Sequence, residues 1–186
     1  MLFMVESDKF LILPGWQNSG PDHWQSHWEH DFSAQRVNQK DWIKPVCEEW
    51  LLALDNAIES TREPIVLICH SLGCLTVARW AQSFRTHHAK IKGAFLVSPP
   101  DLTQDGAPPE LASFLLVPAI PLPFPSLVIG TSNDPWASMI YFEQIAKAWG
   151  SSFMNVGAKG HLGSDSTVAN WPEGKKLLSE FLASLA

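Results

Sequence analysis

The sequence lacks the features that would place the chain in a membrane or among disulfide-stabilised scaffolds. Its three cysteines are an odd number without paired C-x-x-C spacing, which argues against a disulfide framework and against a zinc site of that type. No uninterrupted run of about 18 apolar residues occurs. The first residues include Glu6 and Asp8 rather than a basic segment followed by an apolar one. We therefore expect a soluble, cytoplasmic protein with reduced thiols and no membrane partner.

Positive charge is also scarce. The 13 Lys and Arg residues are outnumbered by 19 Asp and Glu residues, which gives a formal net charge of −6, and the basic residues form no patch. Such a chain repels a phosphate backbone, so nucleic acid is not an expected partner. No linker or charge block divides the 186 residues, and this length suits one domain spanning 1–186.

Apolar runs of strand length alternate with amphipathic helical patterns along the chain. The runs occur at 10–13, 65–69, 94–97, 127–129 and 153–156, with a weaker one at 34–38. Helical spacing follows at 46–58, after residue 71, at 139–149 and at 178–185. Because parallel strands need crossover helices that cover each face, this alternation predicts a single-domain α/β fold with a doubly wound, mostly parallel sheet and helices on both faces.

The most informative motif is Cys69-His70-Ser71-Leu72-Gly73, which lies between an apolar run and a helical pattern. A strand that turns sharply into a helix with Ser at the apex exposes the hydroxyl, as a nucleophile elbow does, so Ser71 is the candidate nucleophile. The backbone N–H of Leu72 is a candidate oxyanion donor at the helix start. Cys69 stands where the motif prefers Gly. His70 is too close along a tight turn to act as base and is interpreted as structural.

Two residues further along fit the roles of acid and base. In open α/β sheets, functional residues lie just past the carboxyl ends of strands, and Asp134 and His161 each follow a predicted strand. The order Ser, Asp, His is that of the α/β hydrolases, with His161 taking the Ser71 proton and Asp134 orienting the imidazole. Three other carboxylates are weaker alternatives because they do not follow a strand at this edge: Asp101, Asp105 and Asp165.

The loop after the first strand contains Gly15 and Trp16. Gly15 permits a close backbone approach, and the Trp16 N–H is the second candidate oxyanion donor. Gly15, Trp16 and Trp136 are candidates for substrate binding; the alternative for the two tryptophans is ordinary core packing. The Pro-rich segment 99–125 links two predicted strands over the same edge, where it forms either a small lid or an irregular surface loop.

A histidine cluster offers a competing interpretation as a metal-dependent hydrolase. His23 and His27 lie four residues apart, which would let them share a metal on a helix, and His30 is a third potential ligand. The H-E-x-x-H pattern is absent, since Trp24 follows His23. We expect no metal and no cofactor. Instead, Trp24 and Trp28 are expected to pack this helix onto the sheet, with His23 near its edge.

Several segments combine into a family pattern: Leu13-Pro14-Gly15, 19–25, Trp28-Glu29, 70–75, 98–101, 132–135, Gly160-His161 and 171–174. With these segments the chain resembles the retinoblastoma-binding-protein-9-like, YdeN-like small serine hydrolases of the α/β-hydrolase superfamily, especially their short bacterial members. The resemblance runs nearly from end to end.

The resemblance implies a compact α/β-hydrolase fold without a large cap domain, with Ser71, Asp134 and His161 as nucleophile, acid and base. It implies an esterase acting on a small-molecule ester through an acyl-enzyme. One departure is Gly163-Ser164, where bacterial relatives carry an Asn-bearing segment. The alternative function is a catalytically weak interaction protein on a hydrolase fold, although the sequence identifies no protein partner.

Overall fold

Six strands form one sheet in the computed structural model, which describes residues 8–163 and 168–185. The strands are β1 (Lys9–Leu13), β2 (Gln35–Arg36), β3 (Ile65–His70), β4 (Ile91–Val97), β5 (Ser126–Gly130) and β6 (Ser152–Asn155). Their order is β2-β1-β3-β4-β5-β6, and every neighbouring pair is parallel. The chain moves from β1 to one edge and then returns past it to the other edge. This is the doubly wound arrangement predicted from the sequence.

The register aligns the carboxyl ends of the central strands. Leu13 pairs with Cys69, and His70 pairs with Val97, so β1, β3 and β4 end at nearly the same level. Strand β3 lies in the middle and is buried along its whole length. The loops that follow these strands therefore gather at one edge of the sheet, which we call the carboxyl edge.

Helices cover both faces of the sheet. They are α1 (Trp24–Asp31), α2 (Cys47–Glu59), α3 (Leu72–Ser83), α4 (Met139–Trp149) and α5 (Pro172–Ala183), with short 3-10 helices at His88–Lys90 and Pro109–Phe114. Alternate strand residues point to opposite faces. Leu11 and Leu67 pack on the side of α2, α3 and α4, whereas Ile12 and Ile68 pack on the side of α1 and α5.

Tryptophans fill much of the α1 side. Trp24, Trp28 and Trp171 are buried together, with ring centroids 4.7 to 5.7 Å apart. The indole N–H of Trp24 donates to the carbonyl of Leu162 at 2.8 Å, and that of Trp28 donates to the carbonyl of Asn170 at 2.8 Å. This confirms that Trp24 and Trp28 pack α1 against the sheet, and it ties α1 to the segments around α5.

Cys47, Cys69 and Cys74 are buried free thiols, and burial raises the pKa of each. Over residues 8–163 and 168–185, no helix combines the length and apolarity needed to cross a bilayer. The Pro-rich segment 99–125 contains the short helix Pro109–Phe114 and otherwise irregular backbone.

Candidate active site

Ser71 occupies the sharp turn between β3 and α3. Its backbone has φ 52° and ψ −122°, a region that side chains with a Cβ rarely adopt. The turn is fixed from both sides, because Ser71 N donates to Val97 O at 2.9 Å and Ser71 O accepts from Cys74 N at 2.9 Å. Such strain persists only where the surroundings enforce it, and it directs the hydroxyl to the carboxyl edge.

Two glycines allow the chain to crowd around this turn. A Cβ placed on Gly15 would lie 2.7 Å from the Ser71 Cβ and 3.2 Å from its Oγ. A Cβ on Gly73 would lie 2.3 Å from the carbonyl oxygen of Leu13, so α3 packs directly on the end of β1. The close backbone approach expected at Gly15 is therefore present, and the loop after β1 passes beside the serine.

His161 and Asp134 meet Ser71 at this edge. His161 Nε2 lies 2.8 Å from Ser71 Oγ, and His161 Nδ1 lies 2.9 Å from both carboxylate oxygens of Asp134. A carboxylate accepts hydrogen bonds, so Nδ1–H is placed to donate to Asp134, and Nε2 faces the serine hydroxyl. Asp134 also accepts from the backbone N–H of Trp136 at 2.8 Å. Its side chain is fully shielded from solvent, whereas that of His161 is 13% exposed.

The loops that carry Asp134 and His161 are joined by hydrogen bonds between neighbouring strand ends. Asn133 Oδ1 accepts from Gly160 N at 2.8 Å, and Thr131 Oγ1 donates to the carbonyl of Gly160. Because these bonds connect the residues that precede Asp134 and His161, the relative position of these two side chains is fixed by the loops that follow β5 and β6. Neither contact could be predicted from the sequence, since both depend on the pairing of two strands.

Two buried histidines support the site. His70 Nε2 donates to the backbone carbonyl of His161 at 2.8 Å, in agreement with the structural role expected for His70. Burial lowers the pKa of His70 well below its usual value, and the neighbouring His23 and His161 lower it further. His23 caps α1 by accepting from Gln25 N at 3.1 Å. Burial, followed by the charge of Arg36, lowers the pKa of His23 to about 3. Both rings are therefore neutral at pH 7.

The candidate oxyanion donors border the same space. Trp16 and Leu72 line a pocket with Ser71 and His161, and the backbone N–H of neither residue donates to an acceptor in the described parts of the chain. The loop that carries Trp16 is held by Gln17 N, which donates to Trp42 O at 2.9 Å. Two unpaired N–H groups beside a serine hydroxyl are the arrangement that binds an oxyanion in acyl transfer.

A buried polar network fixes the loop between β1 and α1. The Gln25 side chain is fully buried; its amide N–H groups donate to Leu13 O and Ile68 O at 3.1 Å, and its oxygen accepts from Ser19 Oγ at 2.7 Å. Arg36 donates to Ser19 O at 2.8 Å and to other groups of the same network, namely Asn18, Ser26 and Glu29. This network was not predicted from the sequence, where its only signal is that Gln25 lies between Trp24 and Trp28 on a helix expected to pack against the sheet.

The pocket above Ser71 has a volume of about 370 Å³ and two unlike sides. One side, here called the polar wall, consists of Gln17, Asn18, Gly20 and His23 from the loop between β1 and α1. The other, called the apolar wall, consists of Pro100, Leu111 and Trp136. The candidate substrate-binding residues Gly15, Trp16 and Trp136 all border the pocket. Among the described residues that line it, none is Lys, Arg, Asp or Glu.

The structure does not assemble the alternative site of the histidine cluster. His23 uses Nδ1 as the helix cap, whereas the His30 side chain is 92% exposed. In the part of the chain that the structure describes, no three His, Cys, Asp or Glu side chains are grouped to hold a metal ion.

Of the three alternative acids, the structure describes Asp101 and Asp105, and neither reaches His161. Asp101 accepts from the backbone N–H and the hydroxyl of Thr103 at 3.0 and 2.6 Å. Asp105 lies on the exposed part of the Pro-rich segment. Asp165 and Ser164, the second residue of the departure at 163–164, lie outside the described residues.

Comparison with known proteins places this geometry in context. A family model described as serine hydrolase matches residues 10–180. A YdeN-like hydrolase from Pectobacterium atrosepticum is 30% identical with a TM-score of 0.84, over 97% of this chain and 93% of that one. The ydeN gene product from B. subtilis is 19% identical with a TM-score of 0.74, over 95% and 99%. Est1E from Butyrivibrio proteoclasticus, solved with ferulic acid bound, is 15% identical with a TM-score of 0.68, over 95% and 90%. No curated protein sequence matches significantly.

Proposed function

The chain belongs to the serine hydrolase family, in its YdeN-like branch of small α/β hydrolases, and we propose that it is a carboxylesterase that cleaves small acyl esters through Ser71, His161 and Asp134. The observation that carries the proposal is the unbroken line of hydrogen bonds from the Asp134 carboxylate through both nitrogens of His161 to Ser71 Oγ, with no separation above 2.9 Å. This line matches the nucleophile, base and orienting acid of acyl transfer.

In the first half of the reaction, Ser71 Oγ attacks the acyl carbonyl carbon while His161 Nε2 takes the hydroxyl proton. Asp134 stabilises the imidazolium that forms, because its shielded carboxylate lies 2.9 Å from Nδ1. The carbonyl oxygen becomes an oxyanion, and the N–H groups of Trp16 and Leu72 donate to it. The C–O bond to the alcohol then breaks, and the departing alkoxide takes the proton from Nε2.

The second half releases the acid. A water molecule gives a proton to His161 Nε2, and its oxygen attacks the acyl carbon bound to Ser71. The same two N–H groups stabilise the second oxyanion. When the acyl–Oγ bond breaks, Ser71 recovers its proton from the imidazolium, and the carboxylic acid leaves.

The pocket supports an uncharged substrate. Because its described lining contains no Lys or Arg, it offers no charged partner to a phosphate or a carboxylate on the substrate. Its volume of about 370 Å³ lies near the lower end of the range for small-molecule sites. Both properties favour neutral esters of short acyl groups.

Hydrolysis of p-nitrophenyl acetate and butyrate tests the proposal. We expect turnover by the wild type that EDTA does not change, a loss of roughly 10⁴- to 10⁶-fold in Ser71→Ala, and a loss of about 10⁴-fold in Asp134→Asn. Ser132→Ala, an exposed serine beside the site, is the matched control and should retain wild-type rates. A folded wild type that is inactive across a panel of esters would instead support the interaction-protein alternative.

A further inference from the structure

We propose that Leu111 sets the acyl-chain length of the esterase by separating the catalytic pocket from a second, apolar pocket, an inference that rests on the proposed function. Leu111 borders the pocket of about 370 Å³ above Ser71 and also a neighbouring pocket of about 270 Å³. Its side chain is only 3% exposed. Leu111 therefore lies between the catalytic pocket and the neighbouring one.

The backbone around Leu111 is anchored by both packing and hydrogen bonds. Phe114, in the same short helix, is fully buried and packs edge-on against Trp50 with a centroid distance of 5.5 Å. Ser113 Oγ donates to Pro45 O and accepts from Cys47 N, both at 3.1 Å. Three neighbouring contacts join Pro109–Phe114 to the start of α2. The Pro-rich segment, interpreted from sequence as a lid or a loop, thus presents Leu111 as a fixed partition.

The second pocket suits the end of a hydrocarbon chain. Its lining is largely aliphatic and comes from the Pro-rich segment, including Leu102, Ala107, Pro108, Pro109 and Leu115. Its polar members, Gln104 and Asp105, offer no positive charge to an anionic group. Because Leu111 faces both spaces, shortening this one side chain joins them without moving the catalytic residues.

The size of the effect follows from the burial of methylene groups. Each methylene moved from water to an apolar site contributes about a fourfold factor to binding. In the wild type, acyl chains longer than butyryl meet Leu111 and gain nothing. In Leu111→Ala, the four further carbons of an octanoyl chain gain access to the second pocket, and even two well-packed methylenes give a factor of more than about tenfold.

The test is kcat/KM for p-nitrophenyl acetate, butyrate, hexanoate and octanoate. In Leu111→Ala the ratio of octanoate to butyrate should rise at least about tenfold over wild type. Leu115→Ala is the matched control, because Leu115 borders only the second pocket, and it should keep the wild-type ratio. A ratio in Leu111→Ala within about twofold of wild type overturns the proposal.

Two further arms make the result decisive. If Leu111→Ala does not fold, Leu111→Val removes a single methylene and should raise the hexanoate to butyrate ratio by about two- to fourfold; an unchanged ratio overturns the proposal. Failure of the proposed function has a different signature, since the wild type would then lack turnover or Ser71→Ala would retain it. If the wild type hydrolyses esters through Ser71 and the Leu111 variants keep its ratios between esters, only the role of Leu111 is rejected.

Discussion

The two walls of the pocket are held in place by different forces. The polar wall rests on directional hydrogen bonds, in which Gln25 joins the carboxyl ends of β1 and β3 and Arg36 joins the loop to α1. The apolar wall rests on side-chain packing, with Phe114 seated against Trp50 behind Leu111. Hydrogen bonds fix the direction of a backbone N–H, whereas packing fixes the volume of a space.

On the proposed function, this difference predicts that the two walls affect catalysis in different ways. The loop of the polar wall carries Trp16, the proposed oxyanion donor, so on the proposed function its geometry should affect every substrate alike. The apolar wall is the side proposed to receive the acyl group, so its shape should discriminate between substrates. Substitutions that disrupt the polar wall should therefore lower kcat/KM for all esters by the same factor. Substitutions that disrupt the apolar wall should change the ratios of kcat/KM between esters.

The largest expected effect comes from removing the anchor of the apolar wall. Phe114→Ala deletes a fully buried ring and should lower the free energy of unfolding by about 3–5 kcal/mol, measured by urea denaturation. Among esters, the ratio of octanoate to butyrate should rise, since Leu111 loses its support. Leu116→Ala, 76% exposed in the same segment, should change stability by less than about 0.5 kcal/mol. An equal decrease in kcat/KM for all esters in Phe114→Ala would contradict the role of the apolar wall in discriminating between substrates.

Breaking the polar wall should have the next largest effect. Gln25→Ala removes three buried hydrogen bonds and leaves the Leu13 and Ile68 carbonyls without this donor, at a cost of about 2–4 kcal/mol. We expect kcat/KM for acetate and butyrate to fall by the same factor, at least about tenfold, because the loop of Trp16 loses its support. Gln144→Ala, exposed on α4, is the control. A change in the acetate to butyrate ratio would show that the polar wall also selects substrates.

A smaller effect should appear in the pH dependence of stability. His23 has a pKa of about 3 in the folded protein, mainly because it is buried, against an ordinary value of 6.5. Between these values the unfolded chain binds more protons, so the free energy of unfolding falls as pH decreases from 6.5, by up to about 1.4 kcal/mol per pH unit. His23→Asn keeps a helix cap but removes this titration, so its urea unfolding between pH 7 and 4.5 should show a shallower slope.

The control for this measurement is His30→Asn, whose side chain is 92% exposed on the same helix. It should follow the wild-type slope. If His23→Asn also follows the wild-type slope, burial of the neutral ring does not contribute to the acid sensitivity of the fold.

The periodic parts of the fold were predictable because burial imposes them on the sequence. The central strands and the helices that cover them match the apolar runs and helical spacing, and the family model and the structural relatives confirm the α/β-hydrolase fold and the YdeN-like resemblance. The edge strands agree less well. The run at 153–156 becomes Ser152–Asn155, and the weak run at 34–38 contributes only Gln35–Arg36. Edge strands are half exposed, so backbone pairing rather than apolar content sets their limits.

The site divides in the same way. In open α/β sheets, functional residues lie past the carboxyl ends of the strands, so Ser71, Asp134 and His161 could be predicted to lie at one edge. The structure places them there, although 90 residues separate the serine from the histidine. The contacts of Gln25 and the position of Leu111 could not be read in advance. Gln25 bonds to carbonyl groups on two strands, and Leu111 lies in a segment without periodicity, so both depend on three-dimensional packing.

Covalent labelling by a fluorophosphonate probe, read by intact mass and peptide mapping, shows whether Ser71 is the nucleophile. We expect one probe molecule per wild-type chain, attached to the Ser71 hydroxyl, and no labelling of Ser71→Ala under the same conditions. Labelling of Ser71→Ala to the wild-type extent, or an adduct on a different residue of the active wild type, would contradict the assignment of Ser71 as the nucleophile.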